Sequence, residues 1–171
     1  MSHSKKLLQV LMVFVLAFSV LLPAQAKDAE AATPVTVYVN GNLLNTSQGA
    51  EIIDGSTMVP MRAIFEALGS QVGWYGDTRT ITAFDPTTNN VLSLVVDKRG
   101  MFCADFTDWA PYEKNPTSPE AVNFVTEHMQ TIPVAPLIKN SRTLVPARVI
   151  SEALECQVGW DPDTYTVTIN R

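Results

Sequence analysis

The chain has 171 residues, with 12 basic and 17 acidic side chains and a formal net charge of −5. An acidic chain with scattered charges lacks the basic patch that binds nucleic acid or anionic lipid. It also contains only two cysteines and two histidines. This composition excludes a disulfide framework and argues against a transition-metal centre, which rests on imidazole or thiolate ligands.

The first 26 residues have the pattern of a secretory signal peptide. Lys5 and Lys6 form a basic start, residues 7–22 are an apolar run, and Ala24-Gln25-Ala26 supplies a small-residue cleavage site. The run is shorter than the roughly 20 residues that a membrane-spanning helix needs. We therefore predict an exported protein, secreted or associated with the cell wall and free of the membrane after cleavage. Residues 27–33 would form a flexible linker, and a second small-residue site nearby leaves the cut itself open.

A motif at residues 57–82 returns at residues 143–168, with an offset of 86 positions and no gap. The two stretches share 16 identities in 26 positions. The shared letters read T-x-V-P-x-R-x-I-x-E-A-L, then Q-V-G-W, then D-T-x-T-x-T. One such unit has too little apolar surface to stand alone, so the repeat predicts two units that share one core.

Each copy predicts a strand, a helix and a β-hairpin. Pro60 and Pro146 lie where the helix should begin, because a missing N–H costs nothing at the first helical position. Apolar residues then recur at helical spacing, and Gly69 can end the first helix in a left-handed cap. Short strands with one helix per copy predict an α+β domain over residues 34–171, with small antiparallel sheets packed on short helices. The two copies would span residues 52–84 and 138–170.

Arg62 and Arg148 are the least expected of the repeated residues, because a cation in the first helical turn faces the unfavourable end of the helix dipole. Each guanidinium could clasp Asp77 or Asp163, or loop carbonyls, across its hairpin, as arginine–carboxylate pairs do. Alternatively, the two arginines could form an anion-binding pair. We favour the clasp, which gives both residues a structural role.

The repeated tryptophans also have two interpretations. Trp74 and Trp160 could be ligand platforms, but they alternate with Val72 and Val158 along their strands. Alternation with valine favours a role as core anchors. We therefore predict that both side chains are structural.

The repeated motif resembles the copper amine oxidase N-terminal, or stalk, domain family. Residues 59–68 with 71–82, and residues 145–154 with 157–168, carry the resemblance. It implies a small α+β module of exported bacterial proteins, named after an accessory stalk that does not hold the oxidase's copper. The oxidase's catalytic domain uses three histidine ligands and a tyrosine-derived quinone, which this chain does not match. After cleavage only His128 remains, so we expect no metal and no cofactor.

Residues 102–131 belong to neither copy, and function tends to lie on such additions to a rigid scaffold. The aromatic rings of this insertion could fold it down onto the domain. Alternatively, Trp109 and Tyr112 could stay exposed beside Asp105 and Asp108 and form a platform for a sugar or peptide. The two carboxylates could also serve as an acid/base pair, as in glycoside hydrolysis.

Two cysteines remain to be placed. Cys103 and Cys156 could form a disulfide in an exported protein, worth roughly 3–4 kcal/mol for a loop of this length. They could equally remain separate thiols, since two cysteines define no framework. The sequence leaves both alternatives open.

Taken as a whole, the sequence predicts a non-catalytic stalk or binding module, secreted or at the cell envelope. Its partner would be a cell-wall polymer or a surface protein. The alternative is a small secreted hydrolase that uses carboxylates of the 102–131 insertion. The identity of the ligand and the oligomeric state are left open.

Overall fold

The computed structural model describes residues 33–171. The predicted signal peptide, residues 1–26, lies outside the described residues, and so do residues 27–32 of the predicted linker. The last linker residue, Thr33, already begins a strand.

The described residues form short strands and four short helices, which confirms the predicted α+β class. The helices are α1 (Met61–Ala67), α2 (Phe106–Trp109), α3 (Pro119–Glu127) and α4 (Ala147–Ala153), and a 3-10 turn at Ala110–Tyr112 follows α2. The strands are β1 (Thr33–Val39), β2 (Asn42–Leu43), β3 (Ala50–Ile53), β4 (Ser56–Pro60), β5 (Gln71–Tyr75), β6 (Thr80–Phe84), β7 (Asn90–Val95), β8 (Gly100–Asp105), β9 (Met129–Thr131), β10 (Leu137–Lys139), β11 (Arg142–Pro146), β12 (Gln157–Asp161) and β13 (Thr166–Asn170).

The strands make two sheets. The large sheet has the order β10-β11-β4-β3-β1-β13-β12, with β2 beside β1, and the small sheet has the order β5-β6-β7-β8-β9. One pair departs from the predicted antiparallel pattern, because β1 and β13 run parallel. A short hairpin turn would force two strands to run antiparallel, but β1 and β13 are not joined by one, so they can pair in either direction. Their register sets Val37 beside Val167 and Val39 beside Ile169, which aligns the apolar side chains of both strands.

The two copies of the motif meet in the large sheet. Copy one contains β4, α1, β5 and β6, and copy two contains β11, α4, β12 and β13. Strands β4 and β11 pair antiparallel with Val59 opposite Val145, which are equivalent positions 86 residues apart. The left-handed backbone also recurs at equivalent positions, at Asp54 and Asn140, Gly55 and Ser141, Gly69 and Glu155, and Arg79 and Tyr165.

The repeated prolines lie one step earlier than predicted. Pro60 and Pro146 are the last residues of β4 and β11, and the helices begin at the next residue. Both prolines have extended ψ angles, of 120° and 113°. Their ring suits this place because a fixed φ is compatible with the end of a strand as well as with a helix start.

Both sheets and helices α1 and α4 contribute to one main core. A second cluster lies on the other face of the small sheet, where the insertion packs onto it. The main core includes Val37, Val59, Ile64, Phe65, Leu68, Ile81, Leu92, Val145, Ile150, Leu154, Val167 and Ile169. The second cluster consists of Phe84, Val91, Phe102, Ala104, Trp109, Ala121 and Val125.

Candidate functional site

The aromatic platform predicted in the insertion is not exposed. Trp109 has 0% of its surface accessible, and its ring lies against Phe102 and Phe124, with centroids 5.8 and 6.2 Å away. Tyr112 is half-buried beside it, at 6.0 Å. The prediction of Trp109 as a ligand platform is therefore wrong. The insertion folds down onto the small sheet instead, because burying these rings removes a large apolar area from water.

Of the two carboxylates predicted as an acid/base pair, Asp105 has a structural role. Asp105 caps the start of α2, where it accepts hydrogen bonds from the Thr107 N–H at 2.6 Å and from Asn89 Nδ2 at 3.0 Å. These bonds, above all the one from the Thr107 N–H, lower the pKa of Asp105. Asp108 lies exposed in the first turn of the same helix. Because its pKa is lowered, the Asp105 carboxylate is a poor general acid.

The predicted arginine clasps do not form. Arg62 is exposed, and Arg148 is exposed and lies 3.5 Å from Glu152 on its own helix. An exposed pair at this distance contributes little to stability. The hairpin carboxylates Asp77 and Asp163 are exposed as well.

The clasp of this molecule is the pair of Asp85 and Arg171. The Asp85 side chain is 0% exposed, and its carboxylate binds the Arg171 guanidinium. The same carboxylate accepts bonds from Ser70 Oγ at 2.8 Å and from the Thr87 N–H at 2.8 Å. Burial alone would raise the pKa of Asp85, but the bonds from Arg171, Ser70 and the backbone lower it below its ordinary value. The carboxylate is therefore ionised and paired.

The guanidinium of Arg171 also joins the two helices. Its Nη1 donates to the carbonyl of Leu68 at 2.9 Å, and its Nη2 to the carbonyl of Leu154 at 3.2 Å. These carbonyls stand at the ends of α1 and α4, at equivalent positions of the two copies. Asp85 and Arg171 are equivalent as well, since they too lie 86 positions apart. The repeat offset could have revealed this pair, but both residues lie just beyond the repeated motif and differ in type.

The repeated tryptophans are more exposed than predicted. Trp74 is 37% exposed and Trp160 is 38% exposed. Trp74 lies opposite the buried Ile81 and Trp160 lies opposite the buried Val167. Both side chains are therefore on the core-facing side of their strands, as a core anchor would be. Their strands, however, are edge strands, with a neighbouring strand on one side only among the described residues, and more than a third of each side chain is exposed.

The surface around Trp160 gathers a second aromatic ring and acidic groups. The Tyr165 ring is 46% exposed and meets the Trp160 ring edge-on, with centroids 5.9 Å apart. Asp161 orders the turn between them by accepting from the Asp163 N–H at 2.9 Å and from Thr164 Oγ1 at 2.8 Å. The Thr164 and Asp163 bonds lower the pKa of Asp161. We call these five exposed residues, Trp160, Asp161, Asp163, Thr164 and Tyr165, the aromatic tip.

The two cysteines are free thiols in this structure. Cys103 Sγ lies 3.6 Å from the Ala153 carbonyl, and Cys156 Sγ lies 3.5 Å from the Leu154 carbonyl. Burial, followed by the nearby Glu155 carboxylate, raises the pKa of Cys103 to about 11, and burial also raises the pKa of Cys156. Thiols with raised pKa values are protonated at neutral pH and therefore weak nucleophiles.

A small cavity of about 170 Å³ lies between β1 and the segment that follows β2. It is smaller than the roughly 300–1,000 Å³ of ordinary ligand pockets. Neither the carboxylates of the insertion nor the aromatic tip lines it. Its lining residues are Val35, Thr36, Val37, Leu43, Leu44, Asn45, Thr46, Gly49, Ala50 and Pro60.

Comparison with known protein families identifies the domain. The model of the family described as the copper amine oxidase N-terminal domain matches residues 38–169, which is more than half of the chain. The chain belongs to this family. The copper amine oxidase N-terminal domain is a non-catalytic domain of those oxidases. Comparison with curated proteins and with solved structures gives no match.

The matched residues include both copies of the motif, the insertion and all five residues of the aromatic tip. Among residues 33–171 of this copper amine oxidase N-terminal domain, no group of three or more His, Cys, Asp or Glu side chains could hold a metal ion. His128 instead stacks on the Phe124 ring, with centroids 4.1 Å apart. No helix in the described part of the chain is long and apolar enough to cross a membrane.

Proposed function

We propose that this chain is an exported, non-catalytic stalk or binding module that engages a cell-wall polymer through the aromatic tip. Export is supported by the signal-peptide pattern of residues 1–26. A non-catalytic role is supported by family membership, since the copper amine oxidase N-terminal domain is a non-catalytic domain. The observation that carries the site is the exposed edge-on pair of Trp160 and Tyr165.

The aromatic tip suits a sugar polymer for a physical reason. An exposed aromatic ring offers an apolar face to a sugar ring, and neighbouring hydroxyl and carboxylate groups can bind its polar edges. Trp160 and Tyr165 supply the rings, while Asp163 and Thr164 supply polar groups beside them. The alternative of a hydrolase has less support, because Asp105 is engaged as a helix cap and its pKa is lowered.

The test is co-sedimentation with purified cell-wall sacculi of the mature chain, residues 27–171. The variant removes both rings of the aromatic tip, Trp160→Ala with Tyr165→Ala. The matched control is Trp74→Ala, because Trp74 occupies the equivalent position in copy one and is equally exposed. We expect the wild type and the control to pellet with the sacculi, and the double variant to stay in solution.

Two outcomes would contradict the proposal in different ways. If the wild type stays in solution, the domain does not bind the wall polymer, and a surface protein becomes the stronger candidate partner. If the double variant pellets as well as the wild type, the polymer binds elsewhere and the aromatic tip is not the site. Circular dichroism of each variant establishes that the fold is retained.

A further inference from the structure

Strand β12 is an open edge of the large sheet. It pairs with β13 on one side, and no other strand of the described residues lies on its other side. Four of its five residues are exposed, and only Val158 is half-buried. The outer N–H and C=O groups of such a strand are a template for pairing with a further strand.

The equivalent edge in copy one is less accessible. Strand β5 carries the same Q-V-G-W sequence, but most of its residues are half-buried. The Tyr75 ring lies across Gly73, with Cε2 only 3.3 Å from where a Cβ on that glycine would be. In copy two, Asp161 replaces this tyrosine and leaves Gly159 exposed. The remaining edge strands, β2, β9 and β10, have only two or three residues each and offer a shorter ladder.

We propose that two copies of this chain pair through β12, antiparallel and centred on Gly159. In this register Val158 lies opposite Trp160 of the second copy, and Gln157 lies opposite Asp161 of the second copy. Aromatic rings and β-branched side chains pair favourably across strands, and an amide can donate to a carboxylate. The twofold symmetry of this pairing forms the Val158–Trp160 contact and the Gln157–Asp161 contact twice each.

Each of these contacts involves a residue of β12 that is exposed in the single chain. The Trp160 ring, 38% exposed in one copy, gains an apolar neighbour on the side of β12 where the single chain has no further strand among the described residues. Gly159 meets Gly159 of the second copy, so that no side chain separates the two backbones at the centre. The Asp161 carboxylate is ionised, because hydrogen bonds within its own turn lower its pKa, and it can accept a further donor.

The strength of this association follows from its size and charge. A ladder of five residues belongs with the small interfaces that make weak, transient complexes. The full chain carries a net charge of −5, and the mature chain, without Lys5 and Lys6, has 10 basic and 17 acidic residues and a net charge of −7, so the two copies repel each other at low ionic strength. Added salt should therefore promote pairing by screening this repulsion.

Sedimentation equilibrium of the mature chain, from roughly 10 µM to 1 mM, tests the proposal, since a dissociation constant of 1 mM is still measurable there. We expect a reversible monomer–dimer equilibrium. Gln157→Lys should tighten the dimer about fivefold, because two Lys–Asp161 pairs form at once. Gln157→Glu should weaken it by a similar factor, because it sets like charges directly opposite each other.

The matched control uses the same two substitutions at Gln71, the equivalent residue of β5. These control substitutions change the net charge of the chain equally, but they lie on β5, an edge strand of the small sheet. The dimer should therefore respond to them much less. A monomer throughout the concentration range would overturn the proposal, and so would Gln71 variants that act as strongly as the Gln157 variants. The outcome is independent of wall binding, because this experiment contains no polymer.

Discussion

The two copies of the motif begin from closely similar sequences and end in different surroundings. In copy one, the outward threonines Thr80 and Thr82 are fully buried, because the insertion packs on that face of the small sheet. In copy two, the equivalent Thr168 is exposed and Thr166 is half-exposed. The repeated motif determines the backbone of each hairpin, but the neighbouring segment decides whether its outer face meets protein or solvent.

The same comparison explains where the surface chemistry lies. In copy one the outer face is covered and the Tyr75 ring lies against Gly73, whereas copy two has an exposed edge strand and the aromatic tip. Both repeated tryptophans are about equally exposed, yet within residues 33–171 only Trp160 has an aromatic ring against it, since Arg79 stands where copy two has Tyr165. Arg79 pairs instead with Asp97 at 2.7 Å. Copy two therefore has the more exposed hairpin of the two copies.

The largest expected effect separates the two kinds of tryptophan. Trp109→Ala should lower the free energy of unfolding by about 4 kcal/mol, because it leaves a large cavity in the second core cluster. Trp160→Ala should cost about 1 kcal/mol or less, since much of the ring already meets solvent. Urea unfolding of the two variants measures both values. Equal losses would show that the aromatic tip is part of the core after all.

A somewhat smaller effect tests the clasp between the copies. Arg171→Met should cost about 3 kcal/mol at pH 7, because it leaves the ionised Asp85 carboxylate buried without its partner. In the wild type the lowered pKa of Asp85 contributes stability above its unfolded value of about 3.9, and this contribution is lost as pH falls through the folded pKa. The Arg171→Met variant lacks this stabilising contribution from the lowered pKa of Asp85 already at pH 7.

The pH dependence therefore distinguishes the clasp from simple packing. The difference in stability between the wild type and Arg171→Met should narrow as pH falls from 7 towards about 3, because protonation removes the buried charge. Urea unfolding over that range measures it. A difference that stays constant with pH would mean that Arg171 acts through its apolar stem alone. Arg148→Met is the control, since Arg148 is an exposed arginine paired at 3.5 Å, and its loss should be close to zero.

The sequence predicted much of the fold because its strongest signals are local. The strand, helix and hairpin pattern of each copy and the glycine after α1 each specify backbone geometry within a few residues. The structure has these elements in both copies and a left-handed cap at Gly69. The family was also recognisable, because its motif occurs twice in the chain.

The candidate site could not be predicted in the same way, because exposure depends on contacts between distant segments. Trp109 and Trp160 both lie near acids and turns in the sequence. Only the packing of α3 against the small sheet buries the first, and only the edge position of β12 exposes the second. The clasp of Asp85 and Arg171 likewise joins residues 86 positions apart. No local pattern carries that information.

The smallest expected effect is the loss of stability when each repeated glycine is replaced by alanine. Contact distance alone would make Gly159→Ala the costlier change, but we expect Gly73→Ala to cost more. A Cβ at Gly159 would lie 2.5 Å from Thr168 Oγ1, and one at Gly73 would lie 2.9 Å from Thr82 Oγ1. Thr168 is exposed and can turn to another rotamer, at a cost of about 1 kcal/mol. Thr82 is fully buried, so Gly73→Ala should cost about 2 kcal/mol as an overpacked site.

Removing the opposing hydroxyl sharpens this difference. Thr168→Ala should relieve Gly159→Ala almost completely, because that hydroxyl is the one atom within 3.5 Å of the new Cβ. Thr82→Ala should relieve Gly73→Ala only in part, because the Tyr75 ring remains 3.3 Å away. Urea unfolding of the single and double variants gives the coupling at each site. If Gly159→Ala proves the costlier change, then the outer face of copy two is as rigid as that of copy one, and its openness cannot distinguish the two copies.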